Sequence, residues 1–399
     1  AGTKSVTTES QAVIRTEGSA ITVSEQRLRA TVISMKKDGS IEQSVREQYF
    51  SVSTNADGTI VGSTKRESTE TTTLARDGTL SVARVDESVI ASVDSRGYTS
   101  TVSSRVNTSI SIETAENVVG DVKIKEVSTQ TAARTAADGA YDSSSATQRT
   151  STFTGVGTQA TGASTLVMSD AAWIKADGSV GGGSVERSSK FSVKNGELAA
   201  ASGYVRSVNA SLRADDKVEV KATSDTVKAV ISKTGEAKDP KVTSTTSINA
   251  VGSSALTITP TEKPTKLVSS TGAGPQLSVD GSKVTLSVTD SKGKAGPSVV
   301  LDLLSRQVVA SSRNGASATA DLSSGTVGST IGKGRKAQTS YVSNDGQGAS
   351  LAALTGVKTK TAMAVQAQEG QFAIGTKVGN KGVMSYTPVV AASALSVTA

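Results

Sequence analysis

Few side chains in this chain are equipped for chemistry. It has no His and no Cys among its 399 residues. Nucleophilic arrangements built on Ser-His-Asp or Cys-His are therefore excluded. So are zinc sites made of His and Cys, disulfides and thiolate redox chemistry. Without imidazole, no side chain has an unperturbed pKa between about 5 and 8, and the charge pattern is expected to stay nearly constant over that range. Carboxylates, Lys, Tyr and Ser remain. Paired carboxylates could hydrolyse glycosides, but the charges recur as Arg46-Glu47, Arg66-Glu67, Asp86-Glu87 and Glu186-Arg187. Recurrence at matching positions of a repeat points to structure, whereas one active site would stand out from it.

Other constellations have simpler readings. Asp38, Asp57, Asp77, Asp138 and Asp177 each precede a Gly. A ladder of them could offer calcium the several oxygens it needs, but turn geometry accounts for the same residues without an ion. The stretch GTVGSTIGKGRK, 325–336, fails as a phosphate loop, with Val327 and Gly334 where the motif requires Gly and Ser or Thr. Its Lys333, Arg335 and Lys336 read as a solvated loop. Trp173, Phe191 and Tyr204 fall in successive stretches and read as anchors of a small core or as a contact patch for a partner, sugar included. No catalytic, cofactor-binding or metal-ligating residue is assigned, and no cofactor is expected.

The elements that carry these residues repeat. Turn glycines fall at Gly18, Gly39, Gly58, Gly78 and Gly97, and continue through Gly120, Gly139, Gly157, Gly178 and Gly196, about 20 residues apart. Asp215-Asp216 stands where the next is due, and Gly235 follows. Asp-Gly is the dipeptide of two-residue type I′ hairpin turns, which need positive φ at both central residues. Between turns run Val, Ile, Leu, Ser and Thr with charges in mid-unit. Such a unit reads as one strand of about 17 residues, roughly 55 Å long, in an antiparallel meander. A β-solenoid is the second choice, but it requires a corner signal in mid-unit, and no regular one is present.

All six prolines lie at or after Pro240. Proline cannot donate to a strand ladder, so the chain divides into a β-repeat region, 1–239, forming a shaft or wall, and a smaller β-rich C-terminal domain, 240–399. Within the latter, TPTEKPTK at 259–266 reads as an extended linker or edge. Asp280-Gly281 marks a hairpin, and SVVLDLLSRQVVASS at 298–312 carries both helix and strand spacing. The expected fold is all-β.

Net charge is +7, spread along the chain, and only 3% of residues are aromatic. A clustered basic surface with stacking aromatics is missing, so nucleic acid is not expected as a partner. No apolar run reaches the ~20 residues of a membrane helix, and the scarcity of aromatic girdle residues argues against an outer-membrane barrel. A single layer of strands with 36% apolar residues buries too little surface to offset its ordering entropy. It needs a second layer, from its own chain or from a copy of itself. The expectation is a non-enzymatic structural subunit of an extracellular filament, surface layer or virion fibre, located outside the cell or on a cell or virion surface. It would assemble with itself, in a manner similar to the β-turn-repeat shafts of trimeric viral and phage fibres. The alternative is an adhesin whose C-terminal head binds a cell-surface receptor or polysaccharide at the end of a repeat stalk.

Overall fold

The computed structural model describes residues 4–17, 20–54, 60–93, 99–115, 118–135, 141–156, 159–194, 197–229, 241–253, 258–260, 273–290, 292–332, 337–344, 349–355, 361–368, 371–378 and 385–388. Thirteen long strands form an antiparallel meander in chain order: β1 (Lys4–Glu17), β2 (Ala20–Met35), β3 (Ile41–Thr54), β4 (Ile60–Leu74), β5 (Leu80–Val93), β6 (Thr99–Ala115), β7 (Val118–Thr135), β8 (Tyr141–Val156), β9 (Gln159–Lys175), β10 (Val180–Lys194), β11 (Glu197–Leu212), β12 (Lys217–Lys228) and β13 (Lys241–Ser253). A short β14 (Ile258–Pro260) ends the sheet. The long strands have 12 to 18 residues, so the meander and not the solenoid is formed.

A second antiparallel meander follows, with much shorter strands: β15 (Gly274–Asp280), β16 (Lys283–Thr289), β17 (Ala295–Asp302), β18 (Gln307–Ser311), β19 (Ser317–Asp321), β20 (Thr326–Ile331), β21 (Gln338–Asn344), β22 (Ala349–Thr355), β23 (Thr361–Gln368), β24 (Gln371–Val378) and β25 (Ser385–Pro388). Neither sheet closes into a barrel, since each terminal strand has a single neighbour in the strand order. The ambiguous stretch 298–312 is the β17–β18 hairpin, not a helix; Val299, Leu301, Val308 and Ala310 alternate into the core. The first sheet also continues past residue 240 through β13 and β14, and the change of sheet falls between Pro260 and Gly274.

The second sheet lies on one face of the first, in reversed order. β15 and β16 cover β12 and β13, and β20 and β21 cover β7 and β8. Its strands are about half as long as those beneath, so they cover only half of each. Burial follows. On β9 the buried positions are Met168, Asp170, Ala172 and Ile174, all at its C-terminal half; on β10 they are at the N-terminal half, Val180 to Glu186. We call this half of the meander the covered end and the other half the free end. The face toward the second sheet is the inner face.

Inside this sandwich the chemistry changes from one side to the other. Over β10–β13 the packing is Val180, Val208, Leu212, Val218 and Val220 against Val284, Leu286, Val299 and Leu301. Over β6–β8 it is small and polar. Ser103, Thr131, Ser144 and Ala146 face Ala318, Ser329, Gln338 and Ser340. Hydrogen bonds tie the layers there: Thr131 to Ser340 at 2.9 Å, Ser144 Oγ to the Thr319 carbonyl at 3.0 Å, and Ser329 Oγ to the Ala132 carbonyl at 3.0 Å. Buried hydroxyls without such partners would each cost a desolvation penalty of about 1–3 kcal/mol.

Candidate functional site

The Asp-Gly turns carry the carboxylates that a calcium ladder would need. At 36–40 the Lys36 N–H donates to the Ser40 carbonyl and the Gly39 N–H to the Lys36 carbonyl. The pattern repeats at 75–79, 175–179 and 213–217. Each is a three-residue loop, a type I turn closed by one left-handed residue, in place of the two-residue I′ turn expected. Gly39, Gly78 and Gly178 hold φ of 87°, 85° and 80°; Asp216 holds 59° in the same role. The Asp before each glycine accepts the N–H two residues on: Ser40 at 3.0 Å, Thr79 at 2.9 Å, Ser179 at 2.9 Å. These bonds hold Asp77 and Asp177 below the usual carboxylate range; for Asp38 the larger cause is the Ser40 hydroxyl. The carboxylates are used by their own turns, and no group of three or more acidic residues placed to hold a metal ion occurs among the described residues. Asp57, Asp138 and the Lys333, Arg335, Lys336 loop lie outside the described residues.

The mid-strand charges pair across strands of the same chain. Arg29 meets Glu47 at 3.3 Å, Arg46 meets Glu67 at 2.7 Å, and Arg105 meets Glu87 at 3.3 Å. Glu67 and Glu87 stand directly opposite each other. The two arginines flank them from β3 and β6, giving the order Arg46, Glu67, Glu87, Arg105 across four strands. On the opposite face, Tyr49 lies between the guanidinium groups of Arg27 and Arg66, at 5.4 and 6.0 Å from its ring centre. An open groove there is lined by both signs of charge, among them Glu9, Arg29, Glu47, Arg84 and Asp86.

The most concentrated set of charges is buried between the layers. Glu186 is fully buried on β10. Its carboxylate accepts hydrogen bonds from Arg313, in the β18–β19 turn, and from the Tyr204 hydroxyl on β11. Arg206 lies 3.8 Å from the same oxygen and 4.2 Å from the Tyr204 ring centre. Ser184, two residues back from Glu186 on the same face, stands opposite Asp170 of β9, which is 1% exposed. Burial pushes its carboxyl up to about 6, with Ser184 and Ser312 pulling weakly the other way. Asp142 on β8 is raised to about 6 by burial alone. Near the covered end Arg306, in the β17–β18 turn at φ 49°, donates to the Gly178 carbonyl at 3.0 Å and to Asp216. One guanidinium thus fastens two neighbouring turns of the long sheet. With Glu186 and Asp170 out of solvent, this arrangement clamps one layer to the other.

Trp173, Phe191 and Tyr204 do not form one core. Tyr204 belongs to the Glu186 cluster. Trp173 and Phe191 occupy the outer face, since Trp173 pairs with Gly181 and Phe191 is an even number of residues further along β10. Trp173 stacks on Tyr141 with ring centres 6.2 Å apart, and it lies where a Cβ at Gly181 would be. Phe191 is 41% exposed.

The outer face also carries a feature that no local motif marks. Direct cross-strand partners share a face, and the registers link Met35, Ile41, Leu74, Leu80, Ile112 and Val122 in one row. A second row, two residues away, runs Val82, Ile110, Ile124, Phe153, Ala163, Phe191. Both lie toward the free end. The signal in the sequence is register between distant units, and no single segment shows it. Comparison with family models and with curated proteins returns no match for this chain.

Proposed function

We propose that the chain is a structural subunit that assembles with copies of itself through sheet packing, as the wall or shaft of an extracellular filament, surface layer or virion fibre. The observation that carries this reading is the outer face of β6. Its Val102, Val106, Ile110 and Ile112 all point away from the second sheet, while Thr101 and Ser103 point into it. The apolar side of the strand is the one its own chain leaves uncovered. With the two rows above, this makes an apolar band from β2 to β10, about 38 Å long at ~4.8 Å per strand. Ile33, Met35, Ile41 and Leu74 within it are 42–51% exposed. A band of that kind marks an interaction surface, and a further layer of strands would match its regular rows. The C-terminal sheet lies along the meander as its second layer, which gives the head-on-stalk alternative less support.

Negative-stain microscopy with light scattering on purified chain at rising concentration tests the proposal. Rods, sheets or filaments are expected. Monodisperse monomers at every concentration would overturn it.

A further inference from the structure

We infer that Asp170, Ser184 and Ser312 form a site for a sodium-sized monovalent cation between the two layers. The two most deeply buried carboxylates of the sandwich are provided for differently. Glu186 is met by Arg313 and the Tyr204 hydroxyl, with Arg206 at 3.8 Å. Asp170 lies on the neighbouring strand and is 1% exposed. No Lys or Arg acts on its carboxyl among the described residues, because the two nearby guanidinium groups serve Glu186. A charge taken out of water is normally paired or coordinated to a metal ion, since its desolvation is otherwise uncompensated.

The register sets what surrounds it. Asp170 stands between Ala146 of β8 and Ser184 of β10. Along β9 its neighbours on the same face are Met168 and Ala172, both buried. The second sheet adds Ser312, in the β18–β19 turn and 8% exposed; Ser184 is fully buried. Both hydroxyls come near enough to pull the carboxyl pKa downward. Yet neither carboxylate oxygen and neither Oγ finds a hydrogen bond of ordinary geometry. Four buried oxygens thus approach one another without pairing off, as ligands do around a common ion. Their chemistry selects the ion. Hard cations take oxygen ligands, but calcium takes about six to eight of them, commonly from several carboxylates. One carboxylate with two neutral hydroxyls balances a single positive charge. A water molecule could bond to the same oxygens, but it brings no charge to offset that of Asp170.

An ion bound only by the folded chain stabilises it by mass action. The test is urea unfolding at about pH 8, where the carboxyl is ionised, followed by the fluorescence of Trp173, the one Trp. Sodium chloride is compared with choline chloride at equal ionic strength, so that surface pairs are screened alike. Sodium at about 0.15 M is expected to lower the unfolding equilibrium constant at least about tenfold relative to choline. Asp170→Asn should abolish that difference and Ser312→Ala should reduce it. Glu67→Gln, at a surface ion pair, should leave it unchanged. Equal unfolding midpoints in the two salts would overturn the site, and so would a full sodium effect in Asp170→Asn. A response to calcium chloride without one to sodium would overturn the monovalent assignment. Should Asp170→Asn fail to fold, the native chain in the two salts and Ser312→Ala decide the matter.

Discussion

The covered and free ends of the long strands contain similar residues and meet different fates. At the covered end Val180, Leu212, Val218 and Val220 are at most 2% exposed, sealed by β15–β18. On the outer face of the free end, Met35, Ile41 and Leu74 stand in equally regular rows and are 42–51% exposed. A long antiparallel ladder satisfies its backbone along its whole length whether or not a second layer is present. Burial of side chains is what varies. The lesson is that strand length here is set by pairing and turn spacing, while layering is a separate decision, made over half of each strand that the second sheet reaches, β5 to β13.

The sharpest way to break the comparison is to truncate a large apolar side chain in each half. Leu212→Ala, in the sealed core of the covered end, is expected to cost about 2–5 kcal/mol, read from the midpoint of urea unfolding. Leu74→Ala at the free end should change folding stability by less than about 1 kcal/mol yet reduce assembly by light scattering. Equal losses of stability would show that the free end is covered by the chain itself.

Ion pairs give the next contrast. Arg313→Ala removes one partner from a fully buried carboxylate and is expected to cost about 3 kcal/mol, with Arg206 left as the nearest cation. Arg46→Ala, from the exposed pair with Glu67, should cost between about 0 and 1 kcal/mol. A similar cost for both would mean that the inter-layer clamp is wetter than its burial indicates.

Protonation sharpens it further. Asp170 and Asp142 have folded-state pKa values raised to about 6, above the ordinary carboxylate value near 4. Between these values the folded chain binds more protons than the unfolded chain, so stability falls as pH rises from about 4 to about 6 and stays lower above that. For Asp170 the loss is on the order of 2–3 kcal/mol. Asp170→Asn should flatten this slope in urea titrations at pH 4 to 7. An unchanged slope would remove Asp170 as its source. The smallest expected effect is at a turn. Gly178→Ala forces a side chain onto a backbone held at φ 80° and should destabilise the chain by about 1 kcal/mol, read from the midpoint of urea unfolding.

Much of the architecture was legible because it is local. Asp38-Gly39, Asp77-Gly78, Asp177-Gly178 and Asp215-Asp216 do end long strands, and the Gly281 hairpin forms as read. The turn type was not, because dipeptide preference does not distinguish a two-residue loop from a three-residue loop with the same Gly. The Glu186 cluster was half visible: Glu186 and Tyr204 were singled out, Glu186 as part of a mid-strand charge pair and Tyr204 as an aromatic anchor. Nothing in the sequence joined them to Arg313, more than 100 residues away.

The sequence by itself determined an all-β chain of long strands broken by evenly spaced turns, with no thiol or imidazole chemistry. Those properties follow from turn residues, alternation and composition, each read within about 20 residues. Only the tertiary structure decided which face is inside. On β6 hydrophobicity favours the side bearing Val102, Val106, Ile110 and Ile112, yet the second sheet sits on the side of Thr101 and Ser103, held by hydroxyl and carbonyl hydrogen bonds between layers. The choice belongs to the shape and polarity of a sheet made 200 residues later in the chain, and no local pattern encodes it.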